Sequence, residues 1–233
     1  MLLFDETDEV GPARVRVVDR RLRHAREVLR AAVGDELAVG RIGGRLGRGK
    51  IARIDAEALE LEVALERDPP APHPAALALA LPRPPSLRKV LQQATALGVK
   101  RFLFFASARV EKSYWQSSGL RPEALREQLL LGLEQAGDCA LPEIAFARRF
   151  REFAERALLE LARGAPVLAA HPGAPPFSGA DAGKPCALVV GPEGGLLPGE
   201  LEALASTGAR TVGLGPRLLR VETAVVALLA RLG

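Results

Sequence analysis

The stretch Leu188–Leu204, LVVGPEGGLLPGELEAL, runs from an apolar segment through a glycine-rich turn into a segment with helical patterning. The same alternation of short apolar runs and amphipathic segments extends over residues 76–233. The first helix predicted in this region begins at its N-cap, Ser86, and ends at Gly98. The predicted strands are 76–81, 101–106, 165–171, 185–191 and 209–215, and the predicted helices are 86–98, 121–137 and 151–164. This pattern favours an α/β domain with a mostly parallel sheet covered on both faces.

Three loops that follow predicted strands are rich in Gly and Pro: AHPGAPP at 170–176, GPEGG at 191–195 and LGPRLLR at 214–220. Ligands of parallel sheets bind beyond the carboxyl ends of the strands, so these loops are expected to form one pocket. GPEGG lacks the Lys and hydroxyl of a phosphate loop and the spacing of a dinucleotide fingerprint, and Glu193 would repel phosphate. The pattern favours a phosphate-free ligand held by backbone groups and apolar side chains, with a plain strand-to-helix connection as the alternative.

A proline-rich stretch divides the chain. ERDPPAPHP, residues 66–74, holds four prolines in nine residues, which is typical of an extended connector. We therefore predict a first domain over residues 1–68, a linker over 69–75 and a second domain over 76–233. The first domain reads as a small β-rich unit with one basic helix within residues 19–36, which Gly34 would end. Its predicted strands are residues 36–42, 49–54 and 59–65.

The first domain carries a concentrated positive charge. From Arg14 to Arg53 there are twelve Lys and Arg against four acids, whereas the net charge of the whole chain is only +4. Such a local excess is typical of a surface that binds a polyanion such as nucleic acid. The alternative is a solvated, arginine-rich surface without a partner.

Several classes of protein are not favoured by the sequence. The N-terminal residues do not resemble a signal peptide, and no uncharged apolar run of membrane-spanning length occurs, so we expect a cytoplasmic protein without a membrane span. The two cysteines, Cys139 and Cys186, and three histidines do not have the spacing of a disulfide framework or a zinc site. Both cysteines are expected to be buried, and no metal is expected.

Two C-terminal motifs carry a resemblance to a known family. LVVGPEGG at 188–195 and LGPRLLRVETAVVALL at 214–229 are similar to the signature of the SPOUT superfamily of RNA methyltransferases. More narrowly, the chain resembles the bacterial 16S ribosomal RNA uridine-N3 methyltransferase family. Supporting segments in the family's order are residues 24–37, 91–99 and 133–144. The resemblance covers nearly the whole chain.

The resemblance implies a PUA-like RNA-binding β-barrel at the N-terminus and an α/β domain whose C-terminal segment is threaded into a trefoil knot. It also implies a homodimer, S-adenosylmethionine as cofactor, and ribosomal RNA or the small ribosomal subunit as partner. The implied cofactor-binding residues are Leu168, Ala169, His171, Gly191, Pro192, Glu193, Gly194, Gly195, Leu214, Gly215, Leu218, Leu219, Thr223 and Ala224. The arginines expected to follow the RNA backbone are Arg20, Arg21, Arg23, Arg26 and Arg30.

The implied reaction assigns roles to three further side chains. Methyl transfer from a sulfonium needs alignment of donor and nucleophile and requires no metal. The N3 proton of uridine must leave, which calls for a base or for a cation that stabilises the anion. Arg220 is the expected stabilising cation because guanidinium stays protonated. Glu222 and Glu193 are candidate proton acceptors, although Glu222 could instead favour its helix N-terminus and Glu193 could bind turn N–H groups.

The chain departs from the family's pattern at Ala96, Asp138 and Cys139, and Tyr114 and Trp115 lie where many members differ. These departures leave a methyltransferase that acts on another RNA site as an alternative. A non-catalytic protein that binds RNA or assists ribosome assembly is a second alternative.

Overall fold

The computed structural model describes residues 1–177 and 179–233, and these residues form two compact units. The first unit comprises Met1–Ala71 and Leu133–Leu141, and the second comprises Pro72–Gly132 and Pro142–Gly233. Residues 133–141 belong to the first unit although sequence patterning assigned them to the second domain. Backbone hydrogen bonds explain this, because Gly43 N donates to Cys139 O at 2.8 Å and the N-terminal amine donates to Glu134 O at 3.3 Å.

The first unit is built on a curled six-stranded sheet, in the form of a PUA-like half-barrel. Its strands lie in the order β1-β4-β5-β6-β3-β2, with β1 and β4 parallel and the other neighbours antiparallel. The alternating side chains of the strands enclose a core that includes Phe4, Val17, Val39 and Ile51. The strands are β1 (Leu2–Phe4), β2 (Glu9–Gly11), β3 (Arg14–Val17), β4 (Glu36–Arg41), β5 (Leu46–Ile54) and β6 (Leu59–Arg67).

The basic helix is shorter than the sequence predicted. Helix α1 (Arg20–Arg23) begins at Asp19, whose carboxylate accepts from Arg21 N at 2.9 Å, and a π-helical turn over His24–Val28 follows. The chain then leaves the helix at Arg30, which has a left-handed φ of 51°. The prediction that this helix ends at Gly34 was therefore wrong.

The second unit is built on a six-stranded sheet in which every neighbouring pair of strands is parallel, as predicted. The strands lie in the order β12-β10-β11-β7-β8-β9. Edge strand β9 was not predicted, because its sequence is neither continuously apolar nor bounded by strong turn signals. The strands are β7 (Ala75–Ala80), β8 (Arg101–Phe105), β9 (Glu143–Ala147), β10 (Val167–Ala170), β11 (Cys186–Val190) and β12 (Arg210–Val212).

Helices cover both faces of this sheet. Alternate residues of β7 enter two separate apolar cores, Leu77 and Leu79 on one face and Ala78 and Ala80 on the other. Helices α2, α3 and α7 contribute to the first core, and α4 to α6 with their connecting π-turn contribute to the second. The helices are α2 (Pro84–Ala96), α3 (Pro122–Ala136), α4 (Phe150–Glu152), α5 (Leu158–Ala162), α6 (Pro198–Ser206) and α7 (Val221–Leu232), with the π-turn at Phe153–Ala157.

Two local features of the second unit bear on the sequence predictions. Helix α2 begins at Pro84 rather than at Ser86, because proline is favoured in the first turn and Arg83 occupies the N-cap.

Cys186 is buried, as is Cys139 in the first unit, which confirms the prediction. Burial raises the pKa of the Cys186 thiol to about 11, so this thiol stays protonated near neutral pH. Among the described residues, no helix is long and apolar enough to cross a membrane.

Candidate active site

The three Gly- and Pro-rich loops of the second unit meet at one edge of the sheet. They follow β10, β11 and β12, which are neighbours in the strand order β12-β10-β11. Between them lies an open cleft lined mainly by glycines, prolines and aliphatic side chains, a composition typical of sites for small ligands. The first two turns of α7 complete its wall with Val221, Ala224 and Leu228. The predicted pocket is therefore present.

Backbone hydrogen bonds fix the loop after β10 against the end of β12. His171 N donates to Val212 O at 2.9 Å, Gly213 N donates to Pro175 O at 2.8 Å, and Phe177 N donates to Gly213 O at 3.1 Å. The two segments approach so closely that a Cβ atom at Gly213 would lie 2.4 Å from the carbonyl oxygen of Ala174. Only glycine fits at this crossing, which shapes one wall of the cleft.

The GPEGG turn forms the opposite wall. Gly195 N donates to Pro192 O at 2.8 Å, and Gly195 itself has a φ of 75°, a conformation that favours glycine. Arg109, in the loop after β8, donates from its guanidinium to Gly194 O. The turn thus presents backbone and apolar atoms to the cleft, together with the exposed carboxylate of Glu193.

A buried carboxylate that the sequence analysis did not single out positions this wall. Glu200 accepts from Leu197 N at the start of α6 and from Ala108 N in the loop after β8, each at 2.8 Å. Ala108 precedes Arg109, so Glu200 joins the two segments that hold the GPEGG turn. The sequence gives one sign of this role, because Glu200 lies three residues after the N-cap, where a carboxylate can cap the helix. The contact with Ala108 joins segments that are distant in the chain and has no sign in the sequence.

Replacement of Glu200 by alanine is expected to reduce the free energy of unfolding by about 1–3 kcal/mol, because two partly buried N–H groups lose a charged acceptor. Chemical denaturation followed by circular dichroism measures this change. Glu202, two residues further along α6 and without a hydrogen bond in the described part of the chain, is the control. Equal stability of the Glu200→Ala and Glu202→Ala proteins would contradict the assignment.

Most of the predicted cofactor-binding residues line the cleft. The lining members are His171, Gly191, Pro192, Glu193, Gly195, Leu214, Gly215, Leu218, Leu219 and Ala224. The other four lie outside it: Leu168 and Ala169 are buried within β10, Gly194 packs against Arg109, and Thr223 is exposed on α7. Lining residues that were not predicted are Ala170, Pro172, Val190, Leu196, Val212, Gly213, Arg217, Val221 and Leu228. Ala170, Val190 and Val212 are strand ends, and Val221 and Leu228 lie on α7, whose inward face a motif does not identify. The remaining four, Pro172, Leu196, Gly213 and Arg217, lie in the three loops or directly beside them.

Arg220 is the N-cap of α7 and stands between two lining residues, Leu219 and Val221. Its side chain is exposed, and within residues 1–177 and 179–233 it forms no hydrogen bond or ion pair. Arg220 itself does not line the cleft, but its exposed guanidinium has no partner in the described part of the chain, and both of its chain neighbours do line it.

Glu222 is directed away from the cleft. Its buried carboxylate lies 3.5 Å from the Lys89 ammonium of α2. A hydrogen bond from its own backbone N–H, followed by contacts with Ser86 and Lys89, lowers its pKa. A general base is most effective when its pKa lies near the working pH, so these contacts fit the structural alternative at the start of α7. Glu193 is the carboxylate that lines the cleft.

The five N-terminal arginines fall into two groups. Arg20 donates twice to Glu134 at 2.9 Å, and Arg21 pairs with Asp8 at 2.7 Å with only 15% of its side chain exposed. These two side chains are occupied within the first unit. Arg23, Arg26 and Arg30 are exposed and form no ion pair within the described part of the chain. No group of three residues that could hold a metal occurs among the described residues.

Comparisons with known proteins place this site in a family. Residues 69–233 match the family model described as RNA methyltransferase domain. Ribosomal RNA small subunit methyltransferase E of Mycobacterium tuberculosis is 32% identical over 219 residues, covering 90% of this chain and 82% of the relative. The protein of the same name from Treponema pallidum is 29% identical over 244 residues, covering 99% of this chain and 89% of the relative.

Solved structures share the fold. Ribosomal RNA small subunit methyltransferase E from Neisseria gonorrhoeae, bound to S-adenosyl methionine, superposes with a TM-score of 0.77 at 23% identity. A protein from Legionella pneumophila with the bound cofactor SAM gives the same TM-score at 22% identity. Both alignments cover 99% of this chain and 96% of the other. The chain belongs to the RNA methyltransferase domain family, among relatives of ribosomal RNA small subunit methyltransferase E.

Proposed function

We propose that the protein transfers a methyl group from S-adenosylmethionine to N3 of a uridine in 16S ribosomal RNA. The observation that carries the proposal is the cleft at the ends of β10, β11 and β12, in a chain of this family. Its relatives are named for the RNA of the small ribosomal subunit, and two structural neighbours hold the methyl donor.

The residues of the cleft fit this cofactor. Leu214, Leu218 and Leu219 supply apolar surface for an adenine ring, and the glycines of the GPEGG turn let the backbone approach a ligand closely. The carboxylate of Glu193 complements the positive charge of a sulfonium. When bound, the cofactor supplies an electrophilic methyl group.

Two side chains of this site act on the uridine in the proposal. Arg220 stabilises the negative charge that develops on the base as the N3 proton leaves, because a guanidinium stays protonated and no acid competes for it in the described part of the chain. In the proposal Glu193, rather than Glu222, accepts the proton, because Glu193 lines the cleft whereas Glu222 is held by α2. The remaining contribution of the protein is to align the base with the methyl donor.

Transfer of a radiolabelled methyl group to purified small ribosomal subunits, or to 16S RNA alone, tests the function. We expect label to appear in a single nucleoside that co-elutes with N3-methyluridine after digestion. Binding of S-adenosylmethionine without label in either RNA would favour another RNA substrate. Absence of cofactor binding would favour the non-catalytic RNA-binding alternative.

Arg23, Arg26 and Arg30 form the proposed RNA-binding surface of the first unit, since Arg20 and Arg21 are committed to ion pairs. Reversal of the three charges to Glu is expected to weaken RNA binding at least tenfold and to reduce its dependence on salt. Filter binding at several salt concentrations measures this, and the affinity for S-adenosylmethionine should not change. Equal loss of both affinities would contradict this role.

The family resemblance implies three further features that we propose for this protein: a knotted C-terminal segment, a homodimer and a cytoplasmic location. The C-terminal segment is threaded into a trefoil knot, which the tight crossing of Gly213 with the loop after β10 supports. The protein is a homodimer, and Leu218, which is 81% exposed beside the cleft, is apolar surface that a partner would cover. The ribosomal substrate places the activity in the cytoplasm. Sedimentation analysis distinguishes a dimer from a monomer.

A further inference from the structure

The cleft occupies only half of the sheet edge on which it opens. It lies at the ends of β12, β10 and β11, and the neighbouring strands β7, β8 and β9 end at the same edge because the sheet is parallel. An arginine follows each of these three strands: Arg83 after β7, Arg109 after β8 and Arg148 after β9. A positively charged row therefore leads away from the cleft across the second unit.

At the far end of this row, Trp115, the single tryptophan of the chain, forms a cluster with Phe146 of β9 and with Arg148, which directly follows β9. The guanidinium carbon of Arg148 lies 5.2 Å from the centroid of the Trp115 ring, a cation–π distance. The edge of Trp115 packs against Phe146, with centroids 6.2 Å apart and planes at 70°, and Phe146 is 39% exposed. The Trp115 ring thus contacts the Arg148 guanidinium on one side.

Arg148 is exposed and forms no ion pair within the described residues. Two other arginines of this region differ, because Arg151 pairs with Glu155 at 2.8 Å and Arg156 pairs with Glu152 at 3.0 Å. The outer face of the Arg148 guanidinium and its N–H groups are therefore free for a ligand. A planar cation fixed on an aromatic ring suits a nucleobase, because bases stack on guanidinium planes as well as on aromatic rings.

The segment that carries Trp115 also contacts the GPEGG turn. Arg109 donates to Gly194 O of the GPEGG turn, and Tyr114, next to Trp115, has its pKa raised by burial and by the charges of Glu111 and Glu193. Residues 109–115 thus extend from the turn to the cluster. Three strand intervals separate β11 from β9, which is about 14 Å at the usual spacing of strands. That distance corresponds to a few nucleotides of a single strand.

We propose that a nucleobase of the RNA substrate, a few nucleotides from the methylated uridine, stacks on the outer face of the Arg148 guanidinium, which Trp115 holds in place. This subsite rests on the proposed function and deepens it by assigning a specificity-determining contact outside the cleft. Arg148 contacts the RNA, and Trp115 is a positioning residue.

Affinity for a 16S RNA fragment that contains the methylated site tests the proposal with four variants at Arg148 and Trp115 and one control variant. Arg148→Ala and Arg148→Lys are each expected to bind about tenfold more weakly, because lysine restores the charge but not the plane. Trp115→Phe should lose less than Trp115→Ala, since phenylalanine still supports the guanidinium. Arg149→Ala, which removes the same charge one residue further along, is the matched control and should change the affinity less than threefold.

Steady-state methylation and fluorescence give independent readouts. The Arg148 variants should raise KM for RNA several-fold while kcat and the affinity for S-adenosylmethionine stay unchanged, and RNA should quench the emission of Trp115, the single reporter. Any of three results would overturn the stacking contact. These are wild-type RNA affinity in the Arg148→Lys protein, a loss of RNA affinity in the Arg149→Ala protein equal to that of Arg148→Ala, and Trp115 emission that saturating RNA does not change. Failure of the proposed function would be distinguished by a wild-type protein that binds RNA but transfers no methyl group.

Discussion

Replacement of Arg220 by alanine is expected to lower kcat for methyl transfer by about 100- to 1,000-fold without weakening the binding of S-adenosylmethionine. The expected magnitude is that of removing one group that stabilises developing negative charge in a catalytic site. Arg220 is positioned for this role at the N-cap of α7, exposed between two residues that line the cleft. Single-turnover methylation of small ribosomal subunits measures the chemical step directly.

Two further variants make this result specific. Arg220→Lys keeps the charge and should recover part of kcat, whereas Arg231→Ala removes an arginine from the last turn of the same helix and should leave kcat unchanged. A normal kcat in the Arg220→Ala protein, with only a higher KM for RNA, would show that Arg220 binds the RNA backbone and does not stabilise the reacting base.

Replacement of Gly195 by valine is expected to weaken the binding of S-adenosylmethionine by at least about 100-fold. Gly195 lines the cleft and has a φ of 75°, so a β-branched side chain both strains the turn and occupies space that the ligand requires. Isothermal titration calorimetry with the purified protein measures the loss. The fold should survive, because the nearest atom to a Cβ at Gly195 is the end of the Arg109 side chain at 3.9 Å.

Gly199→Val is the matched control for the turn. Gly199 lies four residues further along, at the start of α6, and a Cβ atom there would have no neighbour within 4 Å. This protein should bind S-adenosylmethionine like the wild type. Unchanged binding in the Gly195→Val protein, with a normal circular dichroism spectrum, would remove the GPEGG turn from the cofactor site.

The sequence predicts the architecture of the second unit well because buried parallel strands are continuous apolar runs, as in β7 and β11. It does not identify β9, where polar and apolar residues are mixed at the sheet edge. The three site loops could be predicted from their positions after strands. The contacts of Glu200 and Arg109 could not, since each joins segments that are distant in the chain.

Charge patterning predicted the basic surface of the first unit, but it could not tell which of its arginines form ion pairs and which do not. Arg20 and Arg21 have the same sequence context as Arg23, yet Arg20 is paired with Glu134, which lies far away in the sequence, and Arg21 is paired with Asp8 and Asp19. The same reasoning applies to Glu222, whose partner Lys89 lies on α2. Which charges remain available for a ligand depends on tertiary contacts that a charge count does not contain.

The central claim is that this chain methylates N3 of a uridine in 16S ribosomal RNA. The most direct measurement is mass spectrometric mapping of modified nucleotides in 16S RNA from cells with and without the gene. We expect one N3-methyluridine to disappear in the deletion strain and to return with the wild-type protein but not with the Arg220→Ala protein. An identical modification map in the presence and absence of the gene would contradict the claim.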